Sequence, residues 1–595
     1  MSANILRFAT AVTCFISAAG APAAAQIARP LSPGSAFDST LSPGETHRYA
    51  VRLSPGGSAN ITVRQNGVDL VIEVRAPDGS LLTTVDSPNG RNGDEPVEIL
   101  AQQRGAYILV VRPFDSREPV GKYHLQVTAL RNARATAQLL HSRKLARDSA
   151  VAWLRPQSSA IVATGMVPGE GALPPLDQIA GRVRVLGLGE ATHGSREFGD
   201  FRFSATKRLI ARDGYRIVAI EASESRLALL DRYIAGEGIP SAEVSRTIES
   251  GWIGRRTQRE LVAWLREWNA AHPAADRVRL VGVDPQDNTT ARETLGGFLQ
   301  RAYGAGVLAL WTPIAREMAA ADSQVLVFGN SDVAPAVRQG LMELVAMLEL
   351  DAPILRHRLG SGALEAAAAA ARQLAQMADF NSNSGGAITH WRDWYMAANL
   401  LRALDLAGPS SKAIFWAHNA HVSSPPGRPI ERRTAGAYLR DALGCSYGSL
   451  GVTFGEGAFV AQIPNDSANR LAVSSLPLSP EESIDGVLAK LHPDGAIVSW
   501  KCPQDSTVAP GWLRPLRPMH WVGGLFTPGS PPSEAFRPYD LLRDFDGVVY
   551  LRRVSADELP LNRPLVPARR RGRRRFGRPT RSRRPAPGRC RIPGP

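Results

Sequence analysis

The chain has 595 residues, which is enough for roughly two to four domains, and its 44% hydrophobic and 21% charged residues are typical of a globular protein. Its net charge of +15 suggests a polyanionic partner, but twelve of the positive charges are arginines within 568–595, which leaves +3 for the rest of the chain. This distribution argues against a folded basic platform for nucleic acid. We predict instead that residues 566–595 form a disordered tail rich in arginine and proline.

The first 25 residues have the pattern of a secretory signal peptide. Arg7 precedes an apolar stretch from Phe8 to Gly20, and Ala23 to Ala25 form a small-residue cleavage site. The stretch is too short to span a bilayer as a helix, and no later segment is long and apolar enough to cross a membrane. We therefore expect an exported protein that is periplasmic or secreted.

Three cysteines remain after the predicted cleavage site: Cys445, Cys502 and Cys590. In an oxidising compartment, a disulfide between Cys445 and Cys502 is possible. The alternative, two unpaired buried thiols, stays open at this point.

Residues 31–130 are predicted to form an all-β accessory domain. Short apolar strands alternate with turns such as SPGG, APDGS and DSREPVG, which is typical of a β-sandwich. The stretch GAYILVVRPFDSREPVGKYHLQV resembles the bacterial pre-peptidase C-terminal domain, a small β-sandwich attached to secreted enzymes. The resemblance implies a module without catalytic residues, either a contact surface for glycans or proteins or a plain spacer. A helical linker is expected over 131–180.

Residues 181–560 have the pattern of an α/β domain. Helical stretches alternate with the apolar runs VRVLGLG, YRIVAIEAS, VRLVGVDPQ and SKAIFWAHNAH. Continuous apolar strands indicate a mostly parallel sheet covered by helices on both faces. Residues 290–405 are predicted to be a helical insertion between two strands. The expected fold class is therefore α/β with a helical insertion, preceded by a small all-β sandwich.

Ionisable and polar side chains follow four of the predicted strands. They are Glu190 with His193, Glu221, Asp284, and His418 with Asn419 and His421. In an open parallel sheet, ligands bind outside the carboxyl ends of the strands. We therefore predict a functional site at this edge of the sheet.

Two hydrolytic mechanisms fit these residue types. In the first, a histidine activates water as a general base, carboxylates orient it, and Arg202 holds the oxyanion or the substrate. In the second, His193, His418, His421 and a carboxylate bind a divalent metal that lowers the pKa of water. An ordinary serine hydrolase is disfavoured because no G-x-S-x-G elbow stands in a strand–turn–helix context.

Asp284, Asn419 and Trp252 are predicted to contact the substrate, although packing in the core explains Trp252 slightly better. Arg392 and Asp393 are adjacent in HWRDWYMAANL. We interpret them as a structural ion pair on a helix.

The stretch GEATHGSREFGDFRFSATKRLI resembles the signature of the erythromycin esterase family. Further stretches agree with the family in order along the chain, among them GWIGRRTQRELVAWLREWN, VGVDPQ, HWRDWYMAANL, FWAHNAHVS and LGVTFGEGAF. The resemblance covers about 180–555 and implies an α/β hydrolase that opens linear or cyclic esters without a serine nucleophile. It does not identify the substrate as a macrolide.

The resemblance also implies roles for individual residues. The family's proposed base falls on His193. The flanking acids, the H-N-x-H pair and the basic residue fall on Glu190, Glu221, His418, His421 and Arg202. No cofactor is firmly implied, and metal dependence stays open.

Two classes of function follow. The first is an exported hydrolase that cleaves a small-molecule ester or lactone, has no nucleic-acid partner and takes part in the response to an antibiotic. The second is a binding protein on the same scaffold, whose histidine and glutamate cluster holds a metal or haem without turnover.

Overall fold

The computed structural model describes residues 28–559 apart from 88–89, 163, 168, 170, 250–254, 326–332, 383–387, 428–432, 465, 467–469, 501 and 503–507. The predicted signal peptide, the arginine-rich tail, Cys590 and Trp252 lie outside the described residues. Among the described helices, none combines the length and the apolar character that a membrane-spanning segment needs.

The first nine strands are β1 Arg29–Leu31, β2 Ala36–Leu41, β3 His47–Leu53, β4 Ser58–Asn66, β5 Leu70–Arg75, β6 Leu81–Val85, β7 Asn92–Leu100, β8 Gly105–Pro113 and β9 Gly121–Arg131. They form a five-stranded sheet in the order β1-β3-β8-β5-β6 and a four-stranded sheet in the order β2-β9-β4-β7. Alternate residues, such as Tyr49 of β3 and Ile61 of β4, are buried in one core between the two sheets. The predicted β-sandwich is confirmed.

A long helix connects the β-sandwich to the rest of the chain. The elements of this connection are α1 Ala133–Leu154, β10 Ser158–Ala160 and α2 Pro174–Ala180. The side chain of Asn132 accepts a hydrogen bond of 2.9 Å from the backbone N–H of Ala135 and so caps the start of α1. The short strand β10, which the sequence did not indicate, becomes an edge strand of the next sheet.

Strands and helices then alternate along the chain. They are β11 Val185–Leu188, α3 Arg196–Asp213, β12 Ile217–Ser223, α4 Glu224–Ile234, α5 Ser241–Glu249, α6 Arg255–Ala271, β13 Arg279–Asp284, α7 Thr289–Tyr303, α8 Ala305–Val325, α9 Pro335–Leu350, α10 Ala352–Leu359, α11 Ser361–Ser382, α12 Ile388–Ala407, β14 Ala413–Trp416, α13 Asn419–Val422, α14 Ala435–Leu443, β15 Tyr447–Gln462, β16 Leu471–Leu476, α15 Ile484–Leu488, β17 Gly495–Ser499, β18 Arg517–His520, β19 Phe536–Tyr539, α16 Leu541–Asp544 and β20 Gly547–Val554.

Eight of these strands, together with β10, form the central sheet. Its order is β10-β17-β20-β15-β11-β14-β12-β13, with β16 paired to β15. The six strands from β20 to β13 in this order are mutually parallel, whereas β10, β16 and β17 pair antiparallel. A separate two-stranded hairpin is made by β18 and β19.

Both faces of the central sheet are covered by helices. In β12, Val218 and Ile220 point into one apolar core with residues of α3, α4 and α6. Ile217 and Ala219 point into a second core with residues of α1, α12 and α14. Because side chains alternate along a strand, a strand buried on both faces has to be apolar throughout. The predicted α/β class is thereby confirmed.

Helices α7 to α12 lie between β13 and β14 in the sequence. Leu295, Phe298, Leu341 and Leu374 belong to a core that these helices largely make among themselves. The last of them, α12, also packs against β12 and β13. The insertion therefore has its own core and rests on the sheet through α12.

Cys445 and Cys502 form a disulfide, with their Cα atoms 5.8 Å apart. Of the two possibilities that the sequence left open, the structure has the pair. The bond joins the segment after α14 to the segment after β17.

The disulfide should contribute to the stability of the α/β domain. Because it closes a loop between residues 57 positions apart, we expect Cys502→Ser to lower the free energy of unfolding by about 2–4 kcal/mol. Thermal unfolding with and without a reductant measures this. The reductant should lower the midpoint of the wild type and leave that of Cys502→Ser unchanged; equal midpoints for the oxidised wild type and the variant would contradict the expectation.

Candidate functional site

The carboxyl ends of β11, β12 and β14 lie side by side at one edge of the sheet. Leu188 of β11 and Ile220 of β12 are both in register with Trp416, the last residue of β14. The side chains that follow these three residues therefore meet at one place, as predicted from the sequence.

Glu190 and His193 form a hydrogen-bonded pair after β11. Oε1 of the buried Glu190 is 2.7 Å from Nδ1 of His193. Burial alone would raise the pKa of Glu190, but Arg202 and His193 hold it below its ordinary value. Since an ionised carboxylate only accepts hydrogen bonds, Nδ1 of His193 donates. In the neutral ring the lone pair is then on Nε2.

Arg202, nearly two turns into α3, supports Glu190. Its Nη2 is 2.6 Å from Oε2 of Glu190, and its guanidinium lies over the ring of Trp416 at 5.1 Å. The sequence placed Arg202 at the oxyanion or the substrate. In the structure, the guanidinium of Arg202 forms an ion pair with Glu190. We therefore assign Arg202 the role of holding that carboxylate in place.

His418 is buried beside His193, with the two ring centroids 5.3 Å apart. Its Nδ1 accepts a hydrogen bond of 3.1 Å from the backbone N–H of Ala420, which caps the short helix α13. Burial, followed by the nearby His193, lowers the pKa of His418 to about 3. The ring is therefore neutral, with its proton on Nε2, and this buried N–H has no hydrogen-bond partner among the described residues.

His421, three residues later, differs from His418 in its charge. Its Nδ1 is 2.8 Å from Oδ1 of Asp393, and its Nε2 is 3.3 Å from Oε1 of Glu221. Burial would lower the pKa of His421, but Asp393 and Glu221 outweigh it and raise the pKa to about 10. His421 is therefore an imidazolium whose Nδ1 donates to Asp393 and whose Nε2 forms an ion pair with Glu221.

Arg392 joins the ends of two strands. Its Nη2 donates to Oε1 of Glu221 and to Oδ2 of Asp284, both at 2.7 Å. Burial would raise the pKa of Glu221, but His421 and Arg392 hold it well below its ordinary value. The other oxygen of Glu221 accepts a hydrogen bond of 2.8 Å from the backbone N–H of His418. Glu221 thus fixes the backbone of one histidine and the ring of the other.

Two residues that the sequence assigned to substrate binding have other contacts in the structure. Asp284 accepts hydrogen bonds from Arg392. Asn419 is completely buried; its amide donates to the carbonyl of Val452 and accepts from the N–H of the same residue, at 2.8 and 3.0 Å. Asn419 therefore fastens the end of β14 to β15.

The interpretation of Arg392 and Asp393 as an ion pair with each other is wrong. Arg392 pairs with Glu221 and Asp284, whereas Asp393 pairs with His421. Consecutive residues of a helix point in different directions, so adjacent charges on a helix do not face each other. Both residues belong to the site, and the sequence signal for them was a pair of adjacent opposite charges among the aromatic residues of HWRDWYMAANL.

Trp521 is a further neighbour that the sequence did not single out. Its ring is perpendicular to that of His418, at an interplanar angle of 88° and with the centroids 5.3 Å apart. Unlike His418, Trp521 is partly exposed.

The three histidines do not converge as metal ligands would. Both ring nitrogens of His421 face carboxylates, and Nδ1 of His418 faces a backbone N–H. Within the described ranges, no three His, Cys, Asp or Glu side chains are grouped so that they could hold a metal ion. The arrangement of these residues is one of hydrogen bonds and ion pairs.

The family model described as erythromycin esterase matches residues 210–554, which include β12, β13 and β14. Erythromycin esterase type II of Escherichia coli is 24% identical over 411 residues, which cover 65% of this chain and 93% of that protein. A Bacillus cereus protein of known structure has a TM-score of 0.54 and 21% identity and covers 69% of this chain and 98% of its own. A succinoglycan biosynthesis protein has a TM-score of 0.52 and 19% identity over 70% of this chain and 98% of its own. At these identities the two structures show a shared fold.

The charge of His421 leads to a prediction about stability and pH. Because its pKa in the folded protein, about 10, lies above the ordinary 6.5, its contribution is complete below pH 6.5 and is lost as the pH rises towards 10. In Asp393→Asn the pKa of His421 should fall, so stability should decline less steeply with pH in this range. Urea unfolding of both proteins at several pH values measures the two slopes.

The control is Asp441→Asn, which removes an exposed carboxylate of α14. This variant should keep the slope of the wild type. Parallel curves for the wild type and Asp393→Asn would show that His421 is not held as a cation by Asp393.

Proposed function

Because the chain belongs to the erythromycin esterase family, whose members hydrolyse ester bonds, we propose that it cleaves a small-molecule ester or lactone with a water molecule activated by His193. The observation that carries this proposal is the hydrogen bond of 2.7 Å between Glu190 and His193. It leaves Nε2 of His193 as the basic nitrogen and places an anion where it stabilises the imidazolium.

The proposed reaction has two steps. In the first, Nε2 of His193 takes a proton from water, and the resulting hydroxide attacks the carbonyl carbon of the ester. In the second, the tetrahedral intermediate expels the alkoxide, which takes the proton back from His193. The products are a carboxylic acid and an alcohol, or a hydroxy acid if the substrate is a lactone.

His418 is proposed to stabilise the oxyanion. Its neutral ring has a buried Nε2–H without a partner among the described residues, next to the ring of His193. A donor fixed in a buried site stabilises a developing negative charge without having to reorient. Glu221, Arg392 and His421 then act through His418, since Glu221 accepts its backbone N–H.

We further propose that the enzyme works outside the cytoplasm, because its first 25 residues have the pattern of a secretory signal peptide. The name of the Escherichia coli relative suggests an ester antibiotic as the substrate, and export would let the enzyme meet such a compound before it enters the cytoplasm. The β-sandwich is proposed to contact a glycan or a protein partner.

The first test of the function is the loss of the proposed base. We expect His193→Ala to lower kcat for p-nitrophenyl acetate and for erythromycin by about 10²–10⁴-fold, the usual contribution of a general base, and a chelator to leave the activity of the wild type unchanged. The control is His141→Ala, an exposed histidine of α1. Unaltered hydrolysis by His193→Ala would refute the proposal, and loss of hydrolysis with the chelator would favour metal-bound water.

The second test separates the catalytic role of His418 from its capping role. Asparagine is a good helix cap, so His418→Asn should keep the hydrogen bond to Ala420 while it lacks the N–H that would reach the oxyanion. We expect kcat to fall about 10²–10³-fold with little change in KM, as for other oxyanion donors, and the unfolding midpoint to stay close to that of the wild type. Wild-type kcat in this variant would remove His418 from the mechanism.

A further inference from the structure

The loop 521–535, which connects β18 to β19, touches the catalytic edge of the sheet with its first half. The N–H of Val522 donates to the carbonyl of Ala191 at 2.7 Å, and Thr192 forms a parallel bridge with Gly523. This half of the loop thus runs beside the segment that carries Glu190 and His193. Its backbone position is fixed by these contacts.

The second half of the same loop faces the β-sandwich. A cavity of about 250 Å³ lies between them. The residues that line it are Val71, Thr84, Asp86, Arg112 and Phe114 from the β-sandwich and Pro531, Ser533 and Glu534 from the loop. One short loop therefore links the accessory domain to the catalytic edge.

Trp521 is the first residue of this loop and is hydrogen-bonded to Ala535, the last one. Its backbone N–H donates to the carbonyl of Ala535 at 2.6 Å, and the guanidinium of Arg537 lies over its indole ring at 4.7 Å. Gly523 has a φ of 64°, and a Cβ at this position would be 3.3 Å from the indole ring. The indole is therefore held between Arg537, His418 and the backbone of its own loop.

The indole of Trp521 lies next to the proposed oxyanion donor, His418, where a bound substrate would contact it. The partly exposed ring of Trp521 lies beside the buried ring of His418, so a substrate whose carbonyl binds at Nε2–H of His418 would lie close to the indole. Three cationic side chains at this edge have acidic partners: Arg202 has Glu190, Arg392 has Glu221 and Asp284, and His421 has Asp393. The guanidinium of Arg537, which lies over the indole, donates to the backbone carbonyls of Glu534 and Phe536. An anionic substrate would find no uncommitted cation in this set, whereas an apolar group would find an aromatic face.

We infer that Trp521 is a substrate-contacting residue that selects uncharged esters with a bulky apolar acyl group, and that the β-sandwich positions it through residues 531–537. The inference rests on the proposed ester hydrolysis and adds the substrate class to it. Arg537 is a positioning residue, because it acts through the indole. The β-sandwich then contributes to specificity in addition to any partner that it binds.

The test of Trp521 compares two substrates with the same leaving group, p-nitrophenyl acetate and p-nitrophenyl cyclohexanecarboxylate, on the full chain. Trp521→Ala should lower kcat/KM for the cyclohexanecarboxylate by about tenfold or more, through a higher KM, and change that for the acetate less than about threefold. Trp521→Phe should keep most of the preference. The control is Trp153→Ala, which removes a half-buried tryptophan of α1.

The outcomes separate this inference from the function on which it rests. An equal loss for both esters in Trp521→Ala would overturn the specificity role and leave ester hydrolysis standing. Hydrolysis of neither ester by the wild type would overturn both. A selective loss in Trp521→Ala, with the preference kept in Trp521→Phe, supports the inference.

The contribution of the β-sandwich is tested by Ser533→Arg, which places a large side chain in the cavity between the loop and the β-sandwich. The ratio of kcat/KM for the two esters should move in the same direction as in Trp521→Ala, by about threefold or more. Ser530→Arg is the control, since Ser530 is in the same loop and does not line the cavity. An unchanged ratio in folded Ser533→Arg would show that the β-sandwich does not position Trp521.

Discussion

The bridge that Arg392 makes between Glu221 and Asp284 is the interaction on which the rest of the site depends. It is made at the carboxyl ends of two parallel strands, where both carboxylates are largely buried. Buried charges are costly unless they are paired, and the guanidinium that pairs them comes from α12, the last helix of the insertion. The insertion is thus joined to the sheet by charge as well as by apolar packing, and the positions of His418 and His421 depend on Glu221.

His418 and His421 show how partners decide what a histidine can do. The two residues are three positions apart and both are buried, His418 as the N-cap of α13 and His421 within it. His418 faces a backbone N–H and is held neutral, whereas His421 faces two carboxylates and is held charged. His418 can therefore serve as a neutral hydrogen-bond donor, while His421 pairs with Glu221 and Asp393. The sequence motif H-N-x-H does not distinguish these two roles.

The sequence predicted those parts of the structure that depend on local pattern. Continuous apolar strands indicated the parallel sheet, and the acids and histidines after them indicated the edge where the site lies. The partners were harder to predict, because the contacts of Arg392 with Glu221 and of Trp521 with His418 join residues far apart in the chain. The charge state and the tautomer of His418 could not be predicted either. The neutral state follows from burial, and the tautomer follows from one hydrogen bond with the backbone. Asn419 was assigned to the substrate because its position at a strand end is compatible with either a ligand contact or a structural bond.

The order of strands in the central sheet has a consequence for the way in which the protein is made. The last described strand, β20, is placed between β15 and β17, well inside the sheet. A nascent chain that has not yet reached residue 547 therefore lacks an interior strand and cannot complete this sheet. Contacts between segments so distant in sequence form late and slowly. The fold is consequently completed only after residues 547–554 have been synthesised, and a chain truncated before β20 should behave as an incompletely folded protein.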